Sequence, residues 1–253
     1  DTERYTNMKA LGEWVSGSLS YTDGTLGGIK VDGLSYHHGG FYPSYAVGGF
    51  SGLGDWCFFT EGTDFVPNRE ARMVLKHALM TLWDCCSSKD WGFANCGRHP
   101  FNSKMPQKAV DAYARLALLG LLNGSDSNLD TELAGAYIAL GGEDKDMLST
   151  FRKAGVASSG HDTGFRVYNY GAFGIHRRDD WMLTLKGYNS DVWCSEIYAS
   201  QNRYGRYLSY GSVQFMLSSG AEESGFIEDG WDWNRFPGTT AIHLPFDMLE
   251  NPN

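Results

Sequence analysis

The sequence lacks the features that mark several protein classes. Its five cysteines include no C-x-x-C pair, so they define neither a disulfide scaffold nor a zinc site. No apolar run approaches the ~18 residues that a membrane span needs, and no basic segment followed by an apolar one marks a signal peptide at the start. The formal net charge is −9 without a basic stripe, which argues against nucleic acid as a partner. The cysteines do not reveal a redox compartment.

Aromatic residues and glycine are abundant instead. The 253 residues include 8 Trp, 14 Tyr, 14 Phe and 32 Gly. Aromatic rings stack on the flat faces of sugars, so this composition is typical of proteins that handle carbohydrate. A β-rich core with many turns would have the same composition, and composition alone leaves both interpretations open.

Helical periodicity dominates the first half of the chain. The most regular stripe predicts a helix from about Asn68 to Cys86, with Asn68 as its N-cap and Glu70 in its first turn. Similar patterns predict further helices at 6–20, 107–122, 130–140 and 144–154. We interpret the segment GLSYHHGGFYPSYAVGGF, which lies between the first two helices, as a glycine-rich loop. Successive helices with short connections favour helical hairpins or a toroid built from them.

The pattern changes within a stretch rich in Ser and Gly at residues 155–164. From Phe165 onward the chain has the alternation of strands. Arg178-Asp179-Asp180 predicts a hairpin turn, and residues 193–198 and 212–217 are predicted as further strands. The predicted fold class is therefore α+β, with a helical part at residues 1–158 and an antiparallel sheet part at residues 159–253.

Four residues have side chains that suit the removal of a proton next to a carboxylate. They are His38, Tyr45, Arg98 and Glu196. The C5 proton of a uronic acid is weakly acidic, so its removal needs a neutralised carboxylate, a base, and an acid for the leaving oxygen. Arginine carries a positive charge and can bind a carboxylate through two hydrogen bonds. Histidine is a base near neutral pH, and tyrosine is an acid that becomes a base when nearby cations lower its pKa. Residue types alone do not establish a catalytic site, because a histidine in a loop is more often a hydrogen-bonded turn residue than a catalytic one.

Five sequence blocks carry a resemblance to a known family. They are DG at 32–33 with HGGFYPSY at 38–45, CGRHPF at 96–101, KGYN at 186–189 with W-x-S-E-I-Y at 193–198, NRYGRY at 202–207, and DWNRFPGTT at 232–240. In this order they resemble the blocks of broad-specificity chondroitin lyases, within the chondroitin and hyaluronan lyase group of polysaccharide lyases. Five ordered blocks are far more specific than any one of them.

The resemblance implies the C-terminal part of an incomplete (α/α) toroid, followed by strands of an antiparallel β-sandwich. It implies a lyase that cleaves chondroitin or dermatan sulfate, with hyaluronan as a further substrate, by β-elimination to unsaturated uronate products. Family enzymes are several times longer, and they are bacterial proteins that are secreted or periplasmic. We accordingly expect an acidic polysaccharide as substrate and the remainder of a longer parent chain as partner.

The resemblance also assigns roles to residues of this sequence. It implies His38, Tyr45, Arg98 and Glu196 as catalytic residues, and His37, Tyr42, Trp91, His99 and Arg203 as substrate-binding residues. His37 stands where close relatives often have arginine, which makes it a rival of His38. The spacing from His38 to Tyr45 fits the family motif and favours His38 as the catalytic histidine. Trp91 suits a sugar platform and core packing equally.

Neither a metal site nor a cofactor is predicted. A divalent cation near Asp23 and Asp32 is a minor alternative, because some relatives bind one, but Asp-Gly pairs are more often only turns. Two functional alternatives also stay open. One is a lyase for a xanthan-, ulvan- or heparan-type polymer, which makes the same chemical demand. The other is a truncated, non-catalytic sugar-binding fragment. A glycoside hydrolase is disfavoured, since no Asp/Glu pair lies in a matching motif.

Overall fold

The computed structural model describes residues 1–120, 128–192 and 210–249. Its helices are α1 (Thr2–Ser18), α2 (Pro43–Thr60), α3 (Arg69–Asp84), α4 (Gln107–Ala117), α5 (Thr131–Ala139), α6 (Lys145–Lys153) and α7 (Phe246–Leu249). Its strands are β1 (Gly28–Ile29), β2 (Ser35–His37), β3 (Gly40–Phe41), β4 (Gly164–Tyr168), β5 (Phe173–Arg178), β6 (Trp181–Lys186) and β7 (Ser212–Leu217). Helices α1 to α6 thus precede a longer antiparallel sheet, as the change of periodicity predicts, and the short helix α7 follows it. The domain boundary at residue 158 stays a prediction.

The helical core lies among α2, α3, α4 and α5. Helix α3 begins as predicted, because the side chain of Asn68 accepts a hydrogen bond from the Ala71 amide at 2.9 Å. Lys76 of α3 donates to the buried carboxylate of Asp130 at 2.7 Å. Asp130 is also the N-cap of α5, so this ion pair fixes α5 against α3. None of the described helices combines the length and apolar character that a membrane crossing requires.

Helix α2 corrects our interpretation of its segment as a loop. Pro43 begins the helix at a position where a missing N–H costs nothing. The helix continues for 18 residues although four of them are glycines, which have low intrinsic helix propensity. A Cβ at Gly54 would lie 2.8 Å from the Cβ of Ala112. Glycine therefore lets α2 pack directly on α4, and this tertiary contact outweighs local propensity.

The four longer strands form an antiparallel meander in the order β4-β5-β6-β7. The predicted hairpin is confirmed, because Arg178 pairs with Trp181 across the turn formed by Asp179 and Asp180. The predicted strand at 212–217 is β7, whereas the one predicted at 193–198 lies outside the described residues. A small sheet β1-β2-β3 lies between α1 and α2, and its strands β2 and β3 fall in the predicted loop. Its strands of two or three residues are too short to show a period.

A partly buried polar network joins the end of α3 to the meander. Tyr168 donates to the carboxylate of Asp84 at 2.5 Å, and Arg166 donates to it at 3.2 Å. Arg177 donates to the carbonyl oxygens of Asp84 and Cys86 at 2.7 and 2.5 Å. Burial alone would raise the pKa of Asp84, but the nearby ring of His161 at 3.8 Å, the hydrogen bond from Tyr168 and the two arginine charges hold it below its usual value.

The two faces of the meander differ in polarity. The face toward the helices carries polar side chains among apolar ones, including Arg177, Thr184, Lys186 and Gln214, all buried. The opposite face is mainly apolar and partly exposed, and it also carries His176 and Arg178, which pair with Leu183 and Trp181. Its apolar members are Phe165, Val167, Trp181, Leu183, Leu185, Val213, Phe215 and Leu217, and we call them the outer apolar face. Apolar patches of this kind mark surfaces that another layer covers.

We expect the 253-residue chain alone to bind a polarity-sensitive dye through the outer apolar face. Phe165 and Phe215 are 54% and 47% exposed there, so the double variant Phe165→Ser, Phe215→Ser should reduce dye fluorescence by about half or more. Phe59→Ser is the control, because Phe59 is 73% exposed on α2, away from this face. Equal fluorescence losses in the control and the double variant would contradict the assignment.

Replacement of Asp84 by asparagine should weaken the junction between α3 and the meander. We expect the free energy of unfolding to fall by about 1–3 kcal/mol at pH 7, because two arginines lose their charged partner. The pKa of Asp84 is lowered, so its contribution is present above its usual pKa of ~4 and is lost as the pH falls through the folded value. The difference in urea unfolding between the two proteins should therefore shrink on acidification.

Asp179→Asn is the matched control for this substitution. Asp179 lies in the exposed β5–β6 turn with φ 52°, a conformation that asparagine also tolerates. The role of the Asp84 charge would be contradicted if the Asp84 variant lost no more free energy of unfolding than this control. It would also be contradicted if the loss did not change with pH.

Candidate functional site

The hairpin of β2 and β3 presents the two predicted histidines. His37 pairs with Gly40 across the hairpin, so His38 and Gly39 form its two-residue turn. Both turn residues have positive φ, 49° for His38 and 74° for Gly39, as a tight hairpin of this type requires. Glycine adopts this backbone readily, but a histidine there is uncommon. The turn leaves the side chains of His37 and His38 exposed.

Tyr45 lies in the first turn of α2, directly after this hairpin. Its amide donates to the carbonyl of Tyr42 at 3.1 Å, which fixes the start of the helix beside the turn. The ring centroid of Tyr45 lies 4.3 Å from that of His37 and 5.4 Å from that of His38. The two histidine rings are 4.0 Å apart. Both predicted histidines therefore contact the predicted tyrosine, and His37 is the nearer of the two.

Arg98 approaches the same tyrosine from a different part of the chain. Its loop follows a 3-10 turn at Phe93–Asn95, and Gly92 and Gly97 have φ of 76° and 57°. The Nη1 of Arg98 donates to the Oη of Tyr45 at 3.3 Å. A guanidinium can only donate, so the tyrosine oxygen is the acceptor in this bond. A negative charge on that oxygen would strengthen the interaction.

The remaining predicted site residues are distributed differently. His99 is exposed beside Arg98, and the ring of Tyr42 lies 6.5 Å from that of Tyr45. Tyr42 is only 5% exposed, and Trp91 is 1% exposed with its indole N–H on the sulfur of Cys96 at 3.2 Å. A ring buried to this extent has no free face for a sugar, so we assign Trp91 to packing. Glu196 and Arg203 lie outside the described residues.

The loop of Asp23 and Asp32 is held by the chain itself. The ammonium of Lys30, which is fully buried, donates to the carbonyl oxygens of Thr22, Asp23 and Leu26 at 3.3, 3.3 and 2.6 Å. The carboxylate of Asp32 accepts hydrogen bonds from the backbone amides of Leu34 and Tyr170, each at 3.3 Å. Among the described residues, no three His, Cys, Asp or Glu side chains are placed to hold a metal ion.

Asp32 has a structural role that its motif did not reveal. Its bond to the Tyr170 amide ties the histidine hairpin to the turn between β4 and β5. The hydroxyl of Thr81 donates to the carbonyl of Asp32 at 3.3 Å, which adds a contact with α3. Sequence reasoning placed Asp32 in the family motif but did not identify these partners, because they come from distant parts of the chain.

A helical layer followed by an antiparallel sheet, with arginine and histidine around a tyrosine, is the arrangement expected of the polysaccharide lyase class. Residues 1–147 match the family model described as "Lyase, catalytic". Residues 163–246 match the model "Polysaccharide lyase family 8, super-sandwich domain". The chain therefore belongs to the polysaccharide lyases of family 8, and the resemblance drawn from the five sequence blocks is confirmed.

Two curated relatives match along nearly the whole chain. It is 34% identical over 253 residues to a chondroitin sulfate ABC endolyase of Proteus vulgaris, covering 100% of this chain and 24% of the relative. It is 30% identical over 273 residues to a chondroitin sulfate ABC exolyase of Bacteroides thetaiotaomicron, covering 98% and 26%. The chain thus spans about a quarter of the length of the curated relatives it matches.

Solved structures share the fold. A chondroitinase AC lyase superposes with a TM-score of 0.74 at 16% identity, covering 100% of this chain and 35% of that protein. A Paenibacillus xanthan lyase superposes with a TM-score of 0.66 at 17% identity, covering 90% and 24%. The predicted fold class, toroid helices followed by sandwich strands, is confirmed by these neighbours and by the super-sandwich match.

Proposed function

We propose that this chain carries catalytic groups of a lyase that cleaves glycosaminoglycans at a uronic acid by β-elimination. The polymers are chondroitin sulfate and dermatan sulfate, with hyaluronan as a further substrate. Membership of the lyase family and the names of the curated relatives support this proposal. The secreted or periplasmic location belongs to the same proposal and rests on the resemblance alone.

One observation supports the chemistry most directly: the bond from Arg98 to the Tyr45 oxygen, beside the rings of His37 and His38. Elimination requires a group that neutralises the uronate carboxylate and a group that removes the C5 proton. Three described side chains that suit these tasks contact the same tyrosine. A sugar-binding fragment without catalysis would need stacking rings but not this combination.

Arg98 has two roles in the proposed reaction. Its guanidinium faces the uronate carboxylate and neutralises the charge that develops there when C5 loses its proton. The same group donates to the Tyr45 oxygen at 3.3 Å, and a nearby cation favours the phenolate form of a tyrosine. Tyr45 is 38% exposed, so its oxygen is accessible to a polymer that binds from solution.

Tyr45 and His38 divide the proton transfers according to the epimer. In glucuronate the C5 proton and the O4 leaving group lie on one side of the ring, so Tyr45 removes the proton and returns it to O4. In iduronate the proton lies on the opposite face, so His38 removes it while Tyr45 protonates the leaving O4. Glu196 is proposed to orient the side chains of Tyr45 and His38.

The substrate-binding roles of His37, His99 and Arg203 remain part of the proposal, whereas the role expected for Tyr42 changes. His37 and His99 are exposed near Tyr45 and Arg98, where they can contact a bound polymer. Tyr42 is buried under the hairpin, and a Cβ at Gly40 would lie 3.0 Å from its ring. Its contribution is therefore to support the hairpin from below.

Arg98→Lys tests the proposed carboxylate contact. We expect kcat/KM on chondroitin sulfate to fall by about tenfold or more in the complete protein, because an ammonium is a point charge and cannot form a bidentate pair. The assay is the initial rate of appearance of the ultraviolet absorbance of the unsaturated uronate. Arg152→Lys, at the exposed end of α6, is the matched control. Near-wild-type turnover of the Arg98 variant would remove Arg98 from the site.

Tyr45→Phe tests the proposed acid and base. We expect a loss of at least about 100-fold in kcat on both chondroitin sulfate and dermatan sulfate, since positioned acid–base catalysis contributes about 10²–10⁴-fold. Tyr5→Phe is the control, because Tyr5 is an exposed tyrosine on α1. Cleavage of either polymer by the Tyr45 variant at a rate comparable to wild type would refute the assignment.

His38→Ala and His37→Ala separate the two histidines. We expect the loss in His38→Ala to be at least as large on dermatan sulfate as on chondroitin sulfate, because only iduronate makes histidine the sole base. The ring of His37 lies nearer to Tyr45, so ring distance does not distinguish the two. If His37→Ala shows the epimer-dependent loss instead, the roles of His37 and His38 are exchanged.

A further inference from the structure

The loop that carries Arg98 is anchored by hydrogen bonds to β7 and to the segment that directly follows β7. The Asp90 carboxylate accepts from the Gly92 amide at 2.8 Å and from the Ala221 amide at 3.0 Å. The amide of Phe93 donates to the side-chain oxygen of Gln214 at 2.9 Å. Gln214 lies on β7 and is only 6% exposed, so this bond is shielded from water.

Gln214 meets the loop in close contact. A Cβ added at Gly92 would lie 2.4 Å from the Oε1 of Gln214, so the backbone at Gly92 passes directly over the amide oxygen. Among the described residues, the Nε2 of Gln214 has no hydrogen-bond partner. Burial of this amide is therefore compensated at its oxygen alone, by the Phe93 amide.

Hydrogen bonds between residues close in sequence connect Phe93 to the residues around Arg98. The Cys96 amide donates to the Phe93 carbonyl at 3.1 Å, and the His99 amide donates to the Cys96 carbonyl at 3.1 Å. The thiol of Cys96 also donates to the carbonyl of Gly92 at 3.0 Å. Arg98 lies inside this bonded segment, so its direction depends on where Phe93 is held.

We infer that Gln214 is a positioning residue for Arg98, fixing the start of the arginine loop so that the guanidinium reaches Tyr45. The inference rests on the proposed function, because the position of Arg98 affects a rate only if Arg98 acts on a substrate. Gln214 faces the helices from inside the sheet and contacts the loop backbone, so it acts through Arg98 and does not touch the polymer. It thereby couples β7 to the reacting groups.

The kinetic test is a double-mutant cycle in the complete protein with Gln214→Met and Arg98→Lys. Methionine keeps the length of the side chain but cannot accept the Phe93 hydrogen bond. We expect Gln214→Met to lower kcat on chondroitin sulfate by about tenfold, the rate equivalent of one hydrogen bond, with KM changed by less than about twofold. In the Arg98→Lys background the further loss should be less than about twofold, because residues that act as a unit are not additive.

Ser212→Ala is the matched control on the same strand. Ser212 lies two residues from Gln214 on the same face, is 2% exposed, and its hydroxyl has no partner among the described residues. We expect this variant to retain the wild-type rate within about twofold in both backgrounds. Full additivity of Gln214→Met with Arg98→Lys, or an equal loss in Ser212→Ala, would overturn the inference.

Hydrogen–deuterium exchange tests the anchoring without relying on catalysis. We expect faster exchange at residues 92–99 in Gln214→Met and unchanged exchange there in Ser212→Ala, because only the first substitution removes the acceptor of the Phe93 amide. Unchanged exchange in Gln214→Met would overturn the inference. If the wild-type protein yields no unsaturated product, the proposed function fails, and the exchange measurement still decides whether Gln214 holds the loop.

Discussion

The junction at the end of α3 is the interaction on which the arrangement of the site depends. Arg177 places its guanidinium on the carbonyl oxygens of Asp84, the last residue of α3, and of Cys86 just beyond the helix. Carbonyl groups in the last turn of a helix lack a partner within the helix. A cation is favoured there by the helix dipole as well. The Asp84 carboxylate then binds Arg166 and Tyr168 of β4. This network sets the position of the sheet relative to the helices, and the loop with Arg98 starts only a few residues after it.

The polarity of the meander follows from what each face must contact. The inner face meets helix ends and loops whose backbone groups need partners, so it carries Arg177, Lys186 and Gln214 beside apolar residues such as Ile175 and Met182. Lys186 donates to the carbonyl of Gly171 at 2.6 Å, and its burial lowers its pKa to about 8. The outer apolar face lies on the opposite side of the sheet, where Phe165, Val167 and Phe215 are 54%, 55% and 47% exposed. The curated relatives are about four times as long as this chain, so they contain additional residues that can pack against the outer apolar face.

The sequence predicts long amphipathic elements well and compact tertiary arrangements poorly. Helix α3 was predicted with its N-cap because apolar spacing and Asn68 act locally. Helix α2 was missed because its glycines lower local propensity, and their benefit comes from the contact of Gly54 with Ala112. For the site, residue types and family blocks selected Tyr45, Arg98 and the histidines. Only the fold could reveal their mutual distances, the burial of Trp91, and the anchoring of the arginine loop by Gln214.

The backbone of His38 explains how neighbouring histidines contact one tyrosine. Successive side chains of a strand point to opposite faces, so an extended chain would separate His37 from His38. The chain instead turns at His38, with φ 49°, and both rings lie beside Tyr45. Glycine at this position would relieve the strain of a positive φ, which is worth about 1–3 kcal/mol for other residues. The strain is therefore the physical consequence of bringing two imidazoles and a phenol together at the start of one helix.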